Sequence, residues 1–270
     1  MFRMQHYRPV GLLQDYMLSC QILECDLPEE ESKDITVLPH LAQQLIFHLG
    51  NGQPVYDINR REYFPSSAIT GPADRITGLQ IKGNTQQLIV SFRPGACFRL
   101  FRISPRDLCN RSADIAVILG VPANEAAARI RACTDHDQQV RILQSWLTTQ
   151  LSGQTKWPRS IEDAINMIYT ADGNITIRQL ESAVFLTKRT LERSFLEQTG
   201  LHLKMFCRIV RFRKVLACMQ RERCPNWSLL AQQAGYSDQT HFINEFHYFT
   251  QCLPHEYTAA LGDIDQVWSM

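Results

Sequence analysis

TKRTLERSFLEQTG, from Thr187 to Gly200, and DQTHFINEFHYFTQ, from Asp238 to Gln251, carry one pattern written twice. A shift of 51 residues places Leu191 on Phe242, Phe195 on Phe246, Thr199 on Thr250 and Phe206 on Tyr257. Apolar or identical residues thus keep a single helical register. In front of these runs the shift is 50, pairing Leu180 with Leu230 and Phe185 with Gly235. The pattern predicts helix, short turn, helix in each copy, with one turn a residue longer than the other.

Within the first copy, Thr187 reads as an N-cap and Gly200 as a left-handed C-terminal cap of a helix from Lys188 to Thr199. That helix buries Leu191 and Phe195. Its opposite face presents Lys188, Arg189, Glu192 and Arg193 near the N-terminus, where a helix laid in a major groove carries its base-reading side chains. In the second copy Ser237 or Asp238 caps a helix that buries Phe242 and Phe246 and exposes Gln239, Thr240, Ile243 and Asn244. Amides, a hydroxyl and an apolar contact complement base edges. A central helix from about Leu203 to Gln220 joins the copies and clusters Arg208, Arg211, Arg213 and Lys214. Arg208, Arg213 and Lys214 are expected to neutralise phosphates. The alternative for each is a solvated helix face, and for Arg211 a tie to an internal acid.

These segments, together with QLESAVF, RIVRFRKVL and QCLPHEY, resemble the paired helix-turn-helix domain of the AraC/XylS bacterial transcription regulators. The resemblance spans about Arg159 to Leu261 and rests on spaced positions that include Leu180, Arg193, Gly200, Arg211, Gly235, Tyr236, Pro254 and Tyr257. It implies two helix-turn-helix subdomains on one long helix, reading successive major-groove segments. Phe185 and Gln251 stand where the family commonly has Gly, Glu181 where Ala is usual, and Asn244 where a basic residue is frequent. At Phe185 the turn must either take φ < 0 or store strain.

Bulk composition excludes several other classes. The chain has 270 residues, 44% hydrophobic and 20% charged, with a formal charge of +1 and nine cysteines. This is an ordinary globular composition, with no overall charge bias toward nucleic acid or anionic membrane. Arg159 to Leu261 holds 12 Lys+Arg against 10 Asp+Glu, so any DNA-binding charge must be local. The cysteines are odd in number and contain no CxxC, which argues against a disulfide framework or zinc ribbon. No apolar window approaches the roughly 20 residues of a spanning helix, and no signal peptide is readable. The expected location is cytoplasmic.

The first half has a different grammar. From Met17 to about Phe101, short β-forming runs alternate with Gly, Pro and Asn punctuation, and NGQP (51–54) and KGN (82–84) are hairpin candidates. From about Ser104 the text turns helical, over 104–120, 124–133 and 135–151. VLPHLAQQLIFHLGN and GLQIKGNTQQLIVSFRPGACFRLF resemble the N-terminal domain of one subgroup of these regulators, whose members often carry a cupin-type barrel. His6, His40, His48 and His136 form no HxH pair, so no metal site is expected; His40 reads as a strand-start cap and His48 as part of a mixed face. Cys20 and Cys25 leave an oxidation sensor as an alternative. RPGACFRLF reads as a strand-to-helix corner with surface arginines Arg93, Arg99 and Arg102; the sharper alternative is an anion site for a carboxylate effector.

The fold expected is therefore multidomain, an α+β, β-rich and cupin-like N-terminal domain followed by an all-α domain with two helix-turn-helix motifs. The boundaries are 1–152 for sensing and dimerisation, 153–158 for a Ser/Gly/Pro linker, 159–262 for DNA binding and 263–270 for a tail. The expected partners are double-stranded DNA, a small-molecule effector, a second copy of the chain and, if the output is activation, RNA polymerase. No cofactor, catalytic residue or membrane contact is expected. One rival is a constitutive, effector-free DNA binder; the other is a ligand-binding enzyme domain with a helical tail, which would need converging titratable groups in the first half.

Overall fold

The computed structural model describes residues 2–50, 54–151, 159–221 and 226–260. In the N-terminal domain the strands are β1 (Phe2–Tyr7), β2 (Met17–Cys25), β3 (Ser32–Val37), β4 (Gln43–Leu49), β5 (Tyr56–Asp57), β6 (Glu62–Tyr63), β7 (Ser67–Thr70), β8 (Thr77–Lys82), β9 (Thr85–Phe92) and β10 (Ser112–Asp114). They form two antiparallel sheets, ordered β1-β2-β9-β4-β7-β10 and β3-β8-β5-β6. The larger sheet is covered on both faces. One face packs Leu23, Ile46 and Ile89 against Ile35, Leu79 and Ile81 of the smaller sheet. The other packs Leu45, Phe47, Leu88 and Val90 against the helices that follow. Burial on both faces explains why QQLIFHL of β4 shows no apolar alternation.

Neither expected hairpin forms. β8 and β9 flank Gly83, which has φ of 62°, yet they belong to different sheets, so this turn carries the chain across the sandwich instead of pairing its arms. β4 and β5 likewise lie in different sheets, and 51–53 of NGQP fall outside the described residues. Local turn chemistry permits a reversal of direction; which strand lies alongside is decided by burial of two apolar faces.

After β9 come α1 (Ala96–Phe101), α2 (Ile115–Leu119), α3 (Val121–Ala132) and α4 (His136–Leu151). The expected helical stretch 104–120 is broken into a 3-10 turn at Pro105–Leu108, strand β10 and the short α2. Asn110 takes φ of 56° and β10 pairs with β7 to close the sheet edge, so tertiary pairing outweighs the local helical pattern. Val140, Leu143 and Leu147 of α4 face the core as their spacing requires. Cys20 belongs to the helix-facing core and Cys25 to the core between the sheets. Burial pushes the Cys20 thiol up to about 12 and Cys25 upward as well, so the two form no redox pair and stay protonated.

The C-terminal domain comprises α5 (Ser160–Thr170), α6 (Ile177–Val184), α7 (Lys188–Thr199), α8 (Leu203–Arg221), α9 (Trp227–Gln233), α10 (Gln239–Thr250) and α11 (Pro254–Ala260). The two domains pack directly. Leu38 and Leu41 enter the apolar core of the helical domain, Gln43 Nε2 donates to the Thr199 carbonyl at 3.3 Å and Ser104 Oγ donates to the Glu197 carbonyl at 2.9 Å. Gly200 is required there twice over: its φ is 80°, and a Cβ would lie 2.8 Å from the carbonyl oxygen of Pro105. The division we propose runs between α4 and α5; the linker 153–158 and the tail 263–270 lie outside the described residues.

Phe185 resolves the question its turn raised. It adopts φ of 55° in the left-handed region and its side chain is 92% exposed, so strain is kept without packing in return. Phe185→Gly is therefore expected to stabilise the chain by about 1 kcal/mol. Urea denaturation checks this, and an unchanged or lower midpoint would show that the exposed ring is held by a contact that outweighs the strain.

Candidate DNA-reading surface

The two copies of the repeat share their caps and their aromatic contacts. Thr187 caps α7 by accepting from Thr190 N–H, and Asp238 caps α10 by accepting from His241 N–H at 2.8 Å. This selects Asp238 over Ser237, whose hydroxyl instead donates to the Asp238 carboxylate at 2.9 Å. At the far ends, Thr199 Oγ1 donates to the Phe195 carbonyl at 2.7 Å and accepts from Leu201 N–H at 3.3 Å. Thr250 Oγ1 does the same with the Phe246 carbonyl, 2.8 Å, and Cys252 N–H, 3.3 Å. Gly200 and Gln251 then end the helices at φ of 80° and 60°. Phe195 meets Phe206 edge-on at 5.1 Å between centroids, and Phe246 meets Tyr257 at 5.4 Å. Matching caps and edge contacts aim the two helices out of their subdomains in the same way.

Those helices leave their expected reading faces open. Lys188, Arg189 and Arg193 are exposed on α7 and Glu192 is half-buried; Gln239, Thr240 and Asn244 are exposed on α10 and Ile243 is half-buried. The 51-residue shift maps the first four onto the second four in order. Sequence reasoning omitted His247, exposed one turn beyond Ile243; the same shift finds it, opposite Leu196.

Of the three central-helix cations expected to meet phosphates, Arg208 and Lys214 pair with carboxylates of the protein. Arg208 makes a two-pronged ion pair with Glu245 of α10, Nε and Nη2 each 2.9 Å from a carboxylate oxygen, and its guanidinium stacks 4.5 Å from the Tyr248 ring centroid. The Glu245 carboxylate beside it holds Arg208 firmly in its charged form. Lys214 pairs with Asp172, and both Arg213 and Lys214 line a cavity facing the N-terminal domain. Arg211 is tied to a carbonyl and a ring rather than to an acid: Nη2 donates to the Gly173 carbonyl at 3.2 Å and the guanidinium lies 5.3 Å from the Tyr236 centroid. Arg208, Arg211, Arg213 and Lys214 are all half-buried, whereas Lys204 and Arg221 at the two ends of α8 are exposed, so the cations in the middle of the helix become fasteners.

His40 and His48 are both buried. His40 Nδ1 hydrogen-bonds to the Ala42 carbonyl at 3.1 Å, and burial, aided by Arg213, pushes its ring down to about 4; burial does the same to His48. Among the described residues no group of three His, Cys, Asp or Glu side chains converges as a metal site, and no helix is long and apolar enough to cross a membrane.

Comparison with known proteins adds two matches along the chain. Residues 5–114 match a domain of unknown function, DUF6597, and residues 180–260 match a helix-turn-helix domain family. No curated protein matches the chain. Solved structures with similarity include ToxT from Vibrio cholerae O395, 12% identical over 91% of this chain and 99% of that one, with a TM-score of 0.45. The C-terminal domain of AraT from Geobacillus stearothermophilus is 16% identical over 39% of this chain and 88% of that one, at 0.36. The xylose-binding transcription activator XylR is 18% identical over 40% and 28%, at 0.34. The part of the chain that carries the repeat is a helix-turn-helix domain of the AraC type, set behind a β-rich domain of two antiparallel sheets.

Proposed function

We propose that this chain is a sequence-specific transcription regulator that reads double-stranded DNA through α7 and α10 and is controlled through its N-terminal domain. The observation that carries the reading is the matched pair of helices. Each is capped, C-terminally closed and aromatic-wedged in the same way, and each presents side chains at the same four positions. Lys188, Arg189, Glu192 and Arg193 form the more strongly charged reader, and Gln239, Thr240, Ile243 and Asn244 the neutral one. Arg208, Arg213 and Lys214 act inside the protein and serve DNA binding by holding α8 in place. Control through the N-terminal domain is supported by the direct contacts it makes with the C-terminal end of α7, at Glu197, Thr199 and Gly200. A second copy of the chain and, for activation, RNA polymerase complete the partners of this reading.

The test uses duplexes selected from a random pool by the full-length protein. Arg193→Ala is expected to weaken binding to the selected site by about 1–3 kcal/mol, roughly 5- to 150-fold, if it reads a guanine edge. Binding to unrelated duplex should change little. A variant that keeps wild-type affinity and specificity would remove α7 as a reading helix.

A further inference from the structure

Resting on the DNA-reading function above, we propose that Phe185 is a further specificity-determining residue, whose ring meets the methyl group of one thymine in the box read by α7. Among the described residues Phe185 is the most exposed large apolar side chain, at 92%. Its backbone is held at φ of 55°, so the turn carries a steric cost while the fold leaves the ring uncovered. The partner of that ring lies outside the chain. The N-terminal domain touches α7 at Glu197, Thr199 and Gly200, which is the far end of a 12-residue helix about 18 Å long.

The second copy of the repeat shows what sets this position apart. Its counterpart there is Gly235, at φ of 77°, where an added Cβ would lie 2.3 Å from Asn174 Oδ1. Asn174 Nδ2 donates to the neighbouring Ala234 carbonyl at 3.0 Å. The second turn is therefore packed against the first subdomain, with no room for a side chain. The corresponding turn of the first copy is open, as the exposure of Phe185 shows. One reading helix thus starts beside a bare backbone and the other beside an aromatic ring.

The surroundings of the ring select its partner. Phe185 stands two residues before Thr187, the cap of α7, at the end of the helix where Lys188 and Arg189 begin the reading face. Ser182, Thr187, Lys188 and Arg189 are exposed around it in the chain, whereas Leu186 is half-buried against the helical core. A docking protein would need a contiguous apolar patch with few lysines at its centre, and one ring among hydroxyls and cations does not supply it. A duplex matches both features. Its phosphates meet the cations, and the thymine C5-methyl is the apolar group that base edges offer in the major groove. Withdrawing one such group from water raises affinity about fourfold.

The experiment uses the full chain and the duplex it selects from a random pool. Each thymine of that site is replaced in turn by deoxyuridine, which removes only the methyl group, and binding is followed by fluorescence anisotropy. One replacement is expected to weaken binding by the wild-type chain about fourfold. Phe185→Gly should bind the unmodified site about fourfold or more weakly than wild type, and should not distinguish it from that deoxyuridine site. Phe185→Ala, which removes the ring and keeps the left-handed turn, should behave in the same way, so the loss follows the ring and not the backbone. Because Phe185→Gly is also expected to raise the urea midpoint, its loss of affinity would not come from a weakened fold. A selected site without thymine, wild-type indifference to every replacement, equal sensitivity of wild type and both variants, or wild-type affinity in both variants overturns the contact. Arg193→Ala is measured on the same duplexes. If it weakens binding while the Phe185 variants do not, the thymine contact falls and α7 remains a reader; if it too is silent, the reading helix itself is wrong.

Discussion

Inserting five base pairs between the two halves of a selected site is expected to lower the affinity of the full chain by about 30-fold or more. α7 and α10 are not mounted independently of each other. α7 is seated on α8 by the contact of Phe195 with Phe206. α10 is seated on α8 by Phe246 and Phe249 around Phe212 and by the Arg208–Glu245 pair. With one rigid helix between them, the readers should meet two boxes whose centres lie about one helical turn, roughly 10 bp, apart on one face of the duplex. Five added base pairs place the second box on the opposite face. The loss is then everything that box contributed. Two base contacts at the low end of about 1 kcal/mol each already amount to about 2 kcal/mol, or roughly 30-fold. A ten-base-pair insertion restores the face but not the distance, so it should bind as poorly. Undiminished affinity for the duplex with five added base pairs, measured by fluorescence anisotropy, would mean that a single helix-turn-helix unit reads the DNA.

The second large effect is expected at the centre of that frame. Phe212 is buried on α8, with its ring 4.8 Å from the Phe249 centroid and 5.8 Å from that of Phe246. Phe212→Ala removes the ring from a site whose neighbours are fixed by two helices and therefore collapse only partly. A loss of about 3–5 kcal/mol is expected, read as a lower urea midpoint. Because the vacated space lies between α8 and α10, affinity for the box read by α10 should suffer more than affinity for the box read by α7. A loss below about 1 kcal/mol would show that α10 is held by the Arg208–Glu245 pair alone, and α8 would then no longer fix the spacing of the two readers.

The two helices that carry the candidate reading surface were legible in the sequence because their signals are local. N-caps, a C-terminal glycine and apolar residues at helical spacing are each decided within a dozen residues, and the repeat supplied a second copy against which to check the first. Phe185 shows the strength of that check: its turn takes the same left-handed conformation as Gly235, with φ of 55° against 77°, because the geometry of the pair of helices outweighs the steric preference of one residue.

Periodicities of 3.6 and 2 residues are enough to specify the pair of capped helices, the central helix between them and the β-rich character of the first half. The tertiary structure alone decided the strand partners, the splitting of the expected helix over 104–120, and the direction of charge on α8. Arg208, Arg213 and Lys214 appear as a single basic run along the chain, but on the helix Arg208 turns to Glu245 of α10 while Arg213 and Lys214 turn to the cavity beside the N-terminal domain. The cavity between the domains is the furthest from the sequence of all. It is built from segments up to 196 residues apart along the chain, from Leu18 to Lys214, and only closure of the two domains on each other brings their apolar side chains and cations to one space, because burial and charge act through distance in the fold and not through position in the chain.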